Sequence, residues 1–390
     1  MRRVTDPKQM EFIAKTLYGL EGVLESELNH LNARNIRPLK RAVAFEGDLS
    51  MLYRANWHLR TALSVLKVIF RFRISEVDDL RRVATEMPWE DHLGLKQTFA
   101  IVPTVNSSLF NHTGYAALVL KDAVADRFRS KYGRRPSVNT EDPDILFNLH
   151  VREKEVTISV DSSVIPLFKR GYRKNSGMAP LNEALAAGII MLTGWKGESV
   201  LLDPMCGSAT IPIEAAMISK GIAPGSFRKF FGFMNWFDYN ENLYNKIAAE
   251  QVISTGFTGP IIKCSDSSPG AVRMAKMNIA NSGMDDLIKP SVKDFFSSDS
   301  GGKKFTIIMN PPYGERIKDR DIMELYGKIG ERLKHGYPSS EAWILTSNFD
   351  ALKNLGLRPS EKQTLYNGAL ECRLVKYDLY TGSMKGQYLR

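Results

Sequence analysis

The sequence predicts an α/β protein. An α+β N-terminal half leads into a doubly wound sheet that closes with an antiparallel strand pair. Three observations carry this. The apolar run 200–202 breaks into Asp203-Pro204-Met205-Cys206-Gly207-Ser208-Ala209-Thr210 and then a helical pattern over 211–219, the strand–tight loop–helix unit that opens such sheets. A second strand-like run, 260–264, ends in Ser265-Asp266-Ser267-Ser268-Pro269 before a helix over 270–280. A third, Phe305 to Met309, is bounded by Lys304 and by Asn310-Pro311-Pro312-Tyr313, and reads as a buried strand that stops abruptly.

The elements follow in chain order. Residues 11–18 read as a strand, and 20–31 as a helix with Leu20, Val23, Leu24, Leu28 and Leu31 on one face. Residues 38–46 read as one strand, 49–59 as a short amphipathic helix and 65–74 as a strand. The next region predicts a helix over 77–87, a strand over 98–104 and a longer helix over 115–132. Residues 146–151 and 155–161 form a hairpin turning at Arg152-Glu153-Lys154. Further on, Pro180 is placed to open a small-residue helix whose first turn holds Glu183. Residues 223–253 form a long, aromatic-rich insertion, expected to add core packing over a bound cofactor rather than to wall a substrate pocket. Late in the chain, 323–333 is a helix, 342–346 a strand, and 362–365 with 373–380 a terminal antiparallel pair. The expected domains are 1–70, ferredoxin-like; 71–165; and 166–390, the doubly wound sheet.

Composition bounds the function. A chain of 390 residues has room for two or three cores. No apolar run approaches the length of a membrane span and no secretory leader is visible, so a cytoplasmic protein is expected. Three dispersed cysteines and six histidines offer no disulfide scaffold, zinc spacing or helical ligand pair, so no metal is expected. The net charge of +10 is compatible with a nucleic-acid partner. Arg127, Arg129, Lys131, Arg134 and Arg135 interleave with Phe128 and Tyr132, the phosphate-plus-stacking composition of an RNA-binding surface. Cations also gather at helix carboxyl ends simply to meet the dipole. The linker Phe168-Lys169-Arg170-Gly171-Tyr172-Arg173-Lys174 repeats the pattern, adding Lys169, Arg170 and Arg173 as RNA contacts.

The strand ends suggest a chemistry. The loop after residue 202 has one glycine where a dinucleotide fingerprint has three, and no lysine as in a P-loop. That suits S-adenosylmethionine, which has no phosphates to cradle but carries an ammonium, a carboxylate and a sulfonium. Asp203 would sit near the cationic end, and Asp266 would hold the ribose diol. Asp294 would accept from the adenine amine, with Phe295 along the ring. Asn310 and the Pro311 carbonyl offer two acceptors on a turn stiffened by Pro311 and Pro312, and Tyr313 a flat face. Two acceptors that take both N–H bonds of an exocyclic base amine localise its lone pair and aim it at an electrophile, while the ring stacks on the base.

The segment Thr113-Gly114-Tyr115 through Pro136, with Leu146-Phe147-Asn148-Leu149-His150-Val151, resembles a THUMP domain, which is associated with RNA-modifying enzymes. The Asp203–Thr210 loop, Asp266, Asp294 and Asn310-Pro311-Pro312-Tyr313-Gly314-Glu315-Arg316 resemble the THUMP-containing guanine-N2 RNA methyltransferases, and the likeness spans nearly the whole chain. Ala209 stands where that family commonly has glycine, and Ser268 where it has aspartate. The resemblance implies a Rossmann-like class I methyltransferase domain behind ferredoxin-like and THUMP RNA-binding domains. It implies S-adenosylmethionine held by Asp203, Pro204, Met205, Cys206, Gly207, Ser208, Thr210, Asp266 and Ser267, and 23S ribosomal RNA as substrate. Three other readings are open: the same chemistry on tRNA guanine or DNA adenine, an RNA-binding assembly factor, and a methylase using Cys206 as nucleophile.

Overall fold

The computed structural model describes residues 9–173, 181–250, 262–314 and 319–380. The chain forms two compact units: Met1–Thr16 with Leu24–Leu167 and Arg228–Glu250, and Leu17–Val23 with Phe168–Phe227 and Gln251–Arg390.

The first unit is built on one eight-stranded sheet. Its elements are β1 (Met10–Thr16), α1 (Glu21–His30), β2 (Arg34–Leu39), β3 (Ala42–Gly47), α2 (Leu49–His58), β4 (Ala62–Arg73), α3 (Val77–Thr85), β5 (Thr98–Asn106), α4 (Thr113–Tyr132), β6 (Ser137–Val138), β7 (Ile145–Arg152) and β8 (Glu155–Asp161). The order is β2-β3-β1-β4-β8-β7-β5-β6. β4 runs through residues 70 and 71 and pairs with β1 on one side and β8 on the other, so both N-terminal regions share this sheet. The strand expected over 38–46 is instead a hairpin. Arg41, at φ 58°, turns the chain between β2 and β3, a reversal with no Gly or Asn to announce it. Alternation then sets the faces. Phe12, Phe45 and Val65 pack with Leu24 and Leu28 of α1 and Leu52 of α2, while Phe99, Phe147 and Ile158 pack with Leu120 and Phe128 of α4.

The second unit holds α5 (Glu183–Thr193), β9 (Val200–Asp203), α6 (Thr210–Ser219), β10 (Ile262–Asp266), α8 (Pro269–Ser282), β11 (Ile288–Val292), β12 (Phe305–Met309), α9 (Asp319–Gly336), β13 (Glu341–Thr346), α10 (Phe349–Lys353), β14 (Glu361–Asn367) and β15 (Leu370–Asp378). α7 (Glu241–Ala248) lies in the insertion between α6 and β10. The sheet order is β11-β10-β9-β12-β13-β15-β14, parallel through β13 and antiparallel across β15 and β14. Successive strands depart in opposite directions from β9, so the topological switch lies between β9 and β12. Pro180 falls outside the described residues. The observed cap of α5 is Asn182, whose side chain accepts from the backbone N–H groups of Ala184 and Leu185.

The insertion corrects an expectation. Phe231, Phe233, Tyr239 and Tyr244 join the core of the first unit, while Phe227 packs on Tyr172 in the second and Phe237 is exposed. Phe231 and Phe233 stack at 5.2 Å and 8°. Phe233 meets Tyr53 of α2, and Tyr244 of α7 meets Trp57 edge-on. No described helix is long and apolar enough to cross a membrane.

Candidate active site

Three loops converge where β10, β9 and β12 end side by side. The β9 loop turns on Gly207 (φ 51°) and Ala209 (φ 64°), both left-handed. Ala209 holds a conformation that costs an L-residue but not glycine. It is buried, and its N–H donates to the Cys206 carbonyl at 2.7 Å. Neighbouring strands brace the loop: Cys206 N–H donates to the Ser265 carbonyl at 3.0 Å, and the Asn278 amide of α8 donates to the Ser208 carbonyl at 3.1 Å.

Asp203 is 2% exposed, and its carboxylate accepts from Met205 N–H at 3.2 Å. Burial, with a smaller push from Asp266, raises its pKa to about 8. Asp266 is half-buried. One of its oxygens accepts from Gly207 N–H at 3.1 Å and the other from Ser268 N–H at 2.9 Å. A carboxylate has about four acceptor positions, so each acid keeps capacity for a ligand. Pro204 is buried, Met205, Gly207 and Ser208 are half-buried, and Ser267 is exposed. Thr210, at the start of α6, is buried with its hydroxyl 3.3 Å from that of Ser208.

The third acidic position divides. Asp294 is exposed and caps a single helical turn, accepting from Phe296 N–H at 3.0 Å. Phe295 is a correction. It is 2% exposed and stacks on Tyr337 at 5.7 Å and 21°, so its ring belongs to the core and offers no open face. A strand-end aromatic beside an acid carries no signal separating the two uses.

After β12, Pro311 is buried and Pro312 exposed. The turn is held from behind by residues that sequence reasoning missed. The Tyr326 hydroxyl of α9 donates to the Pro312 carbonyl at 3.3 Å and lies 2.6 Å from the Thr346 hydroxyl. The Asn348 amide donates to the Tyr313 carbonyl at 3.1 Å. Asn348 follows an apolar strand and caps α10, a position that reads in sequence only as a cap. Tyr313 differs from the expected open face. It is half-buried, burial raises its phenol well above the usual range, and its hydroxyl donates to the Asn310 side-chain oxygen. That acceptor is therefore engaged within the turn.

Cys206 does not stand as a nucleophile. It is 7% exposed, and its thiol pKa is pushed far up by its hydrogen bond with Cys264 and by burial. Among the described residues no His/Cys/Asp/Glu group is arranged to hold a metal ion.

The basic candidates separate sharply. Arg134 and Arg135 are exposed, as is Lys169. Arg127 and Lys131 share the carboxylate of Glu90, at 2.8 and 2.5 Å, and Arg129 lies 3.6 Å from Asp126. Arg170 and Arg173 are corrections, because neither is a surface cation. Arg170 is 1% exposed and pairs at 3.5 Å with fully buried Glu214 of α6, which also accepts from the Tyr172 hydroxyl at 3.1 Å. Arg173 is half-buried, with its side chain 8% exposed and 2.6 Å from Glu183. Glu214 sits in an apolar helix, where nothing in the sequence marks it as the counter-ion of a distant linker.

A switch-point sheet with a terminal antiparallel pair, a single-glycine first loop and acids at successive strand ends defines the class I methyltransferase fold. The chain belongs to the RMKL-like methyltransferase domain family, whose model matches residues 170–376. A THUMP domain model matches 75–161, and an RlmL ferredoxin-like domain model matches 11–66. The chain is 35% identical over 382 residues to a ribosomal RNA large subunit methyltransferase K/L of Syntrophotalea carbinolica, covering 95% of this chain and 54% of that protein. It thus spans about half the length of this and other curated K/L relatives that it matches. It is 33% identical to Synechocystis slr0064, whose assignment as an RNA methyltransferase is provisional, covering 95% and 97% of the two chains. The crystal structure of SMU.472, provisionally a methyltransferase and solved with SAH, superposes with a TM-score of 0.85 at 26% identity, covering 96% of this chain and all of that one.

Proposed function

We propose that this chain methylates the exocyclic N2 amine of a guanine in 23S ribosomal RNA, with S-adenosylmethionine as donor, in the cytoplasm. The carrying observation is convergence: Asp203, Asp266 and the Asn310–Tyr313 turn stand at the carboxyl ends of three adjacent parallel strands. The names of the K/L relatives favour ribosomal RNA over tRNA or DNA. The 1–70, 71–165 and 166–390 division is kept as a proposed functional partition: docking in the first two segments, chemistry in the third.

The donor fits the residues present. Asp203 is a buried acid with one recorded hydrogen bond and a raised pKa, the environment a neighbouring cation would relieve. When bound, the donor supplies an electrophilic methyl on a sulfonium. Asp203, Pro204, Met205, Cys206, Gly207, Ser208 and Thr210 would line its methionyl side, Asp266 and Ser267 its ribose, and Asp294 its adenine amine. The Asn310 oxygen and the Pro311 carbonyl would take the two N–H bonds of the target amine, and Tyr313 would stack on the base. For this, the Tyr313 hydroxyl must release the Asn310 oxygen when the base arrives. Tyr326 and Asn348 keep the turn in place while it does. Exposed Arg134, Arg135 and Lys169 would contact RNA phosphates.

Nucleoside mass spectrometry of 23S RNA from a deletion strain tests the reaction. Loss of one N2-methylguanosine, restored by the purified protein, is expected. An unchanged RNA profile overturns it, and a loss confined to tRNA overturns the substrate alone. Asn310→Ala should lower kcat at least a hundredfold while calorimetry still finds the donor bound.

A further inference from the structure

The first unit carries a cationic surface that the sequence scatters over four strands. Register defines it. Arg71 of β4 stands opposite Thr157 of β8, which stands opposite His150 of β7, itself opposite Thr104 of β5. The next row on the same face is Arg73, Glu155, Arg152 and Asn106. Laterally paired residues share a face. Their sequence neighbours, Phe72, Val156, Val151 and Val105, point the other way into the helix-covered core. All the members of these two rows are exposed except half-buried Thr157.

The charge is uneven. Glu11 of β1 holds Arg71 at 2.7 Å and Arg37 at 3.1 Å, so one carboxylate braces two guanidinium groups that remain 42% and 61% exposed. Neither Arg73 nor Arg152 has a recorded ion pair among the described residues, although Glu155 lies between them in the row. His150, exposed at its edge but with its ring partly sheltered by neighbouring side chains, is pushed below its ordinary pKa by that desolvation and then by the charges of Lys15, Arg152 and Arg71. Four arginines against the carboxylates of Glu11 and Glu155 leave the face net positive.

We propose that this sheet face docks the phosphodiester backbone of the RNA substrate, with Arg71, Arg73 and Arg152 on phosphates and Thr104, Asn106 and Thr157 as polar contacts. It rests on the reading of the chain as an RNA methyltransferase. Four strands span roughly 14 Å, wide enough for successive phosphates of one strand. The chemistry favours nucleic acid over a protein partner, whose interface core would be apolar. Among the outward residues of β5 and β7 beside these rows, Val102 is the one exposed aliphatic side chain.

The test is binding of the full chain to a transcribed 23S RNA fragment across a salt series. It compares wild type, Arg73→Gln/Arg152→Gln, and the control Lys328→Gln/Lys353→Gln, which alters exposed helix cations of the second unit. The sheet double variant should bind about tenfold more weakly, with the log–log salt slope reduced by about 1.5. The control should match wild type, and donor binding should be unchanged throughout. An unchanged affinity and slope in a folded double variant that still methylates RNA overturns the docking face alone. If wild type binds the donor but no RNA, both readings fall. Should the double variant unfold, Thr104→Cys carrying a thiol-linked photo-crosslinker decides the matter, since the three native thiols are buried. RNA adducts support the face, and none overturns it.

Discussion

The acids of the second unit and the bases of the first were both read from sequence, and the fold arranges them in opposite ways. Asp203, Asp266 and Asp294 are far apart in the chain, yet each ends or follows a strand in one parallel sheet. Every βα unit returns its next strand in the same direction, so chain order alone brings the strand ends to one edge. The bases of α4 are adjacent in sequence, yet Arg127 and Lys131 are both tied to one glutamate from a preceding turn, which offsets half of their charge. On the sheet face, Arg71 and Arg73 of β4 meet Arg152 of β7 only through antiparallel register across β8. Nearness in sequence therefore does not by itself measure how much free charge a basic run presents.

The largest effect should come from the linker, where the correction was greatest. Glu214→Ala leaves Arg170 buried without its carboxylate, and breaking such a pair costs about 3–5 kcal/mol. Thermal unfolding should show a drop of many degrees, with the melting transition shifted before any effect on RNA is measurable. If the variant melts like wild type and instead loses RNA affinity, Arg170 is a surface contact after all and the contrast with Asp203 collapses.

That case marks the limit of legibility. The strand Phe305–Met309 and the loop of Asp203–Thr210 were readable because each has its own local signal: an apolar run with a proline stop, and a glycine. The Arg41 turn was not, because no residue type announced it. Nor was the fate of Phe295, because a buried and a ligand-facing aromatic look the same in one dimension. Glu214, Tyr326 and Asn348 act across long sequence separations, and only the fold pairs them with Arg170, Pro312 and Tyr313.

The second effect concerns Asp203. Its pKa is raised to about 8 in the free chain. A raised carboxyl pKa gives stability that is complete below the unfolded value near 4 and fades as pH rises to about 8. A cationic ligand reverses the preference, because it favours the ionised form. Donor affinity should therefore rise with pH by up to tenfold per unit below 8 and level off above it. Calorimetry in buffers of different ionisation enthalpy should find close to one proton released at pH 6.5. No proton release would place Asp203 away from the ligand's charge. Asp203→Asn should flatten the pH profile.

The basic surfaces give smaller effects. Arg134→Gln/Arg135→Gln removes two exposed cations that have no recorded pair, and should weaken RNA binding about fivefold without moving the melting temperature. A loss larger than that of the sheet-face double variant would return the main docking role to the segment that follows α4.

Glu90→Gln is the subtlest test. Arg127 and Lys131 hold the Glu90 carboxyl at about 2, so its ion pairs stabilise the fold above the unfolded value near 4 and are lost as pH falls towards 2. The variant should lack that acid-side transition and lose little stability at neutral pH, since pairs of this kind are worth about 0–1 kcal/mol each. It also releases two cations on α4. If that helix lies along the RNA path, affinity should rise about twofold and the salt slope should steepen. If both stay at the wild-type value, the basic run of α4 is a structural feature of the first unit, and the exposed sheet rows are left as its docking surface.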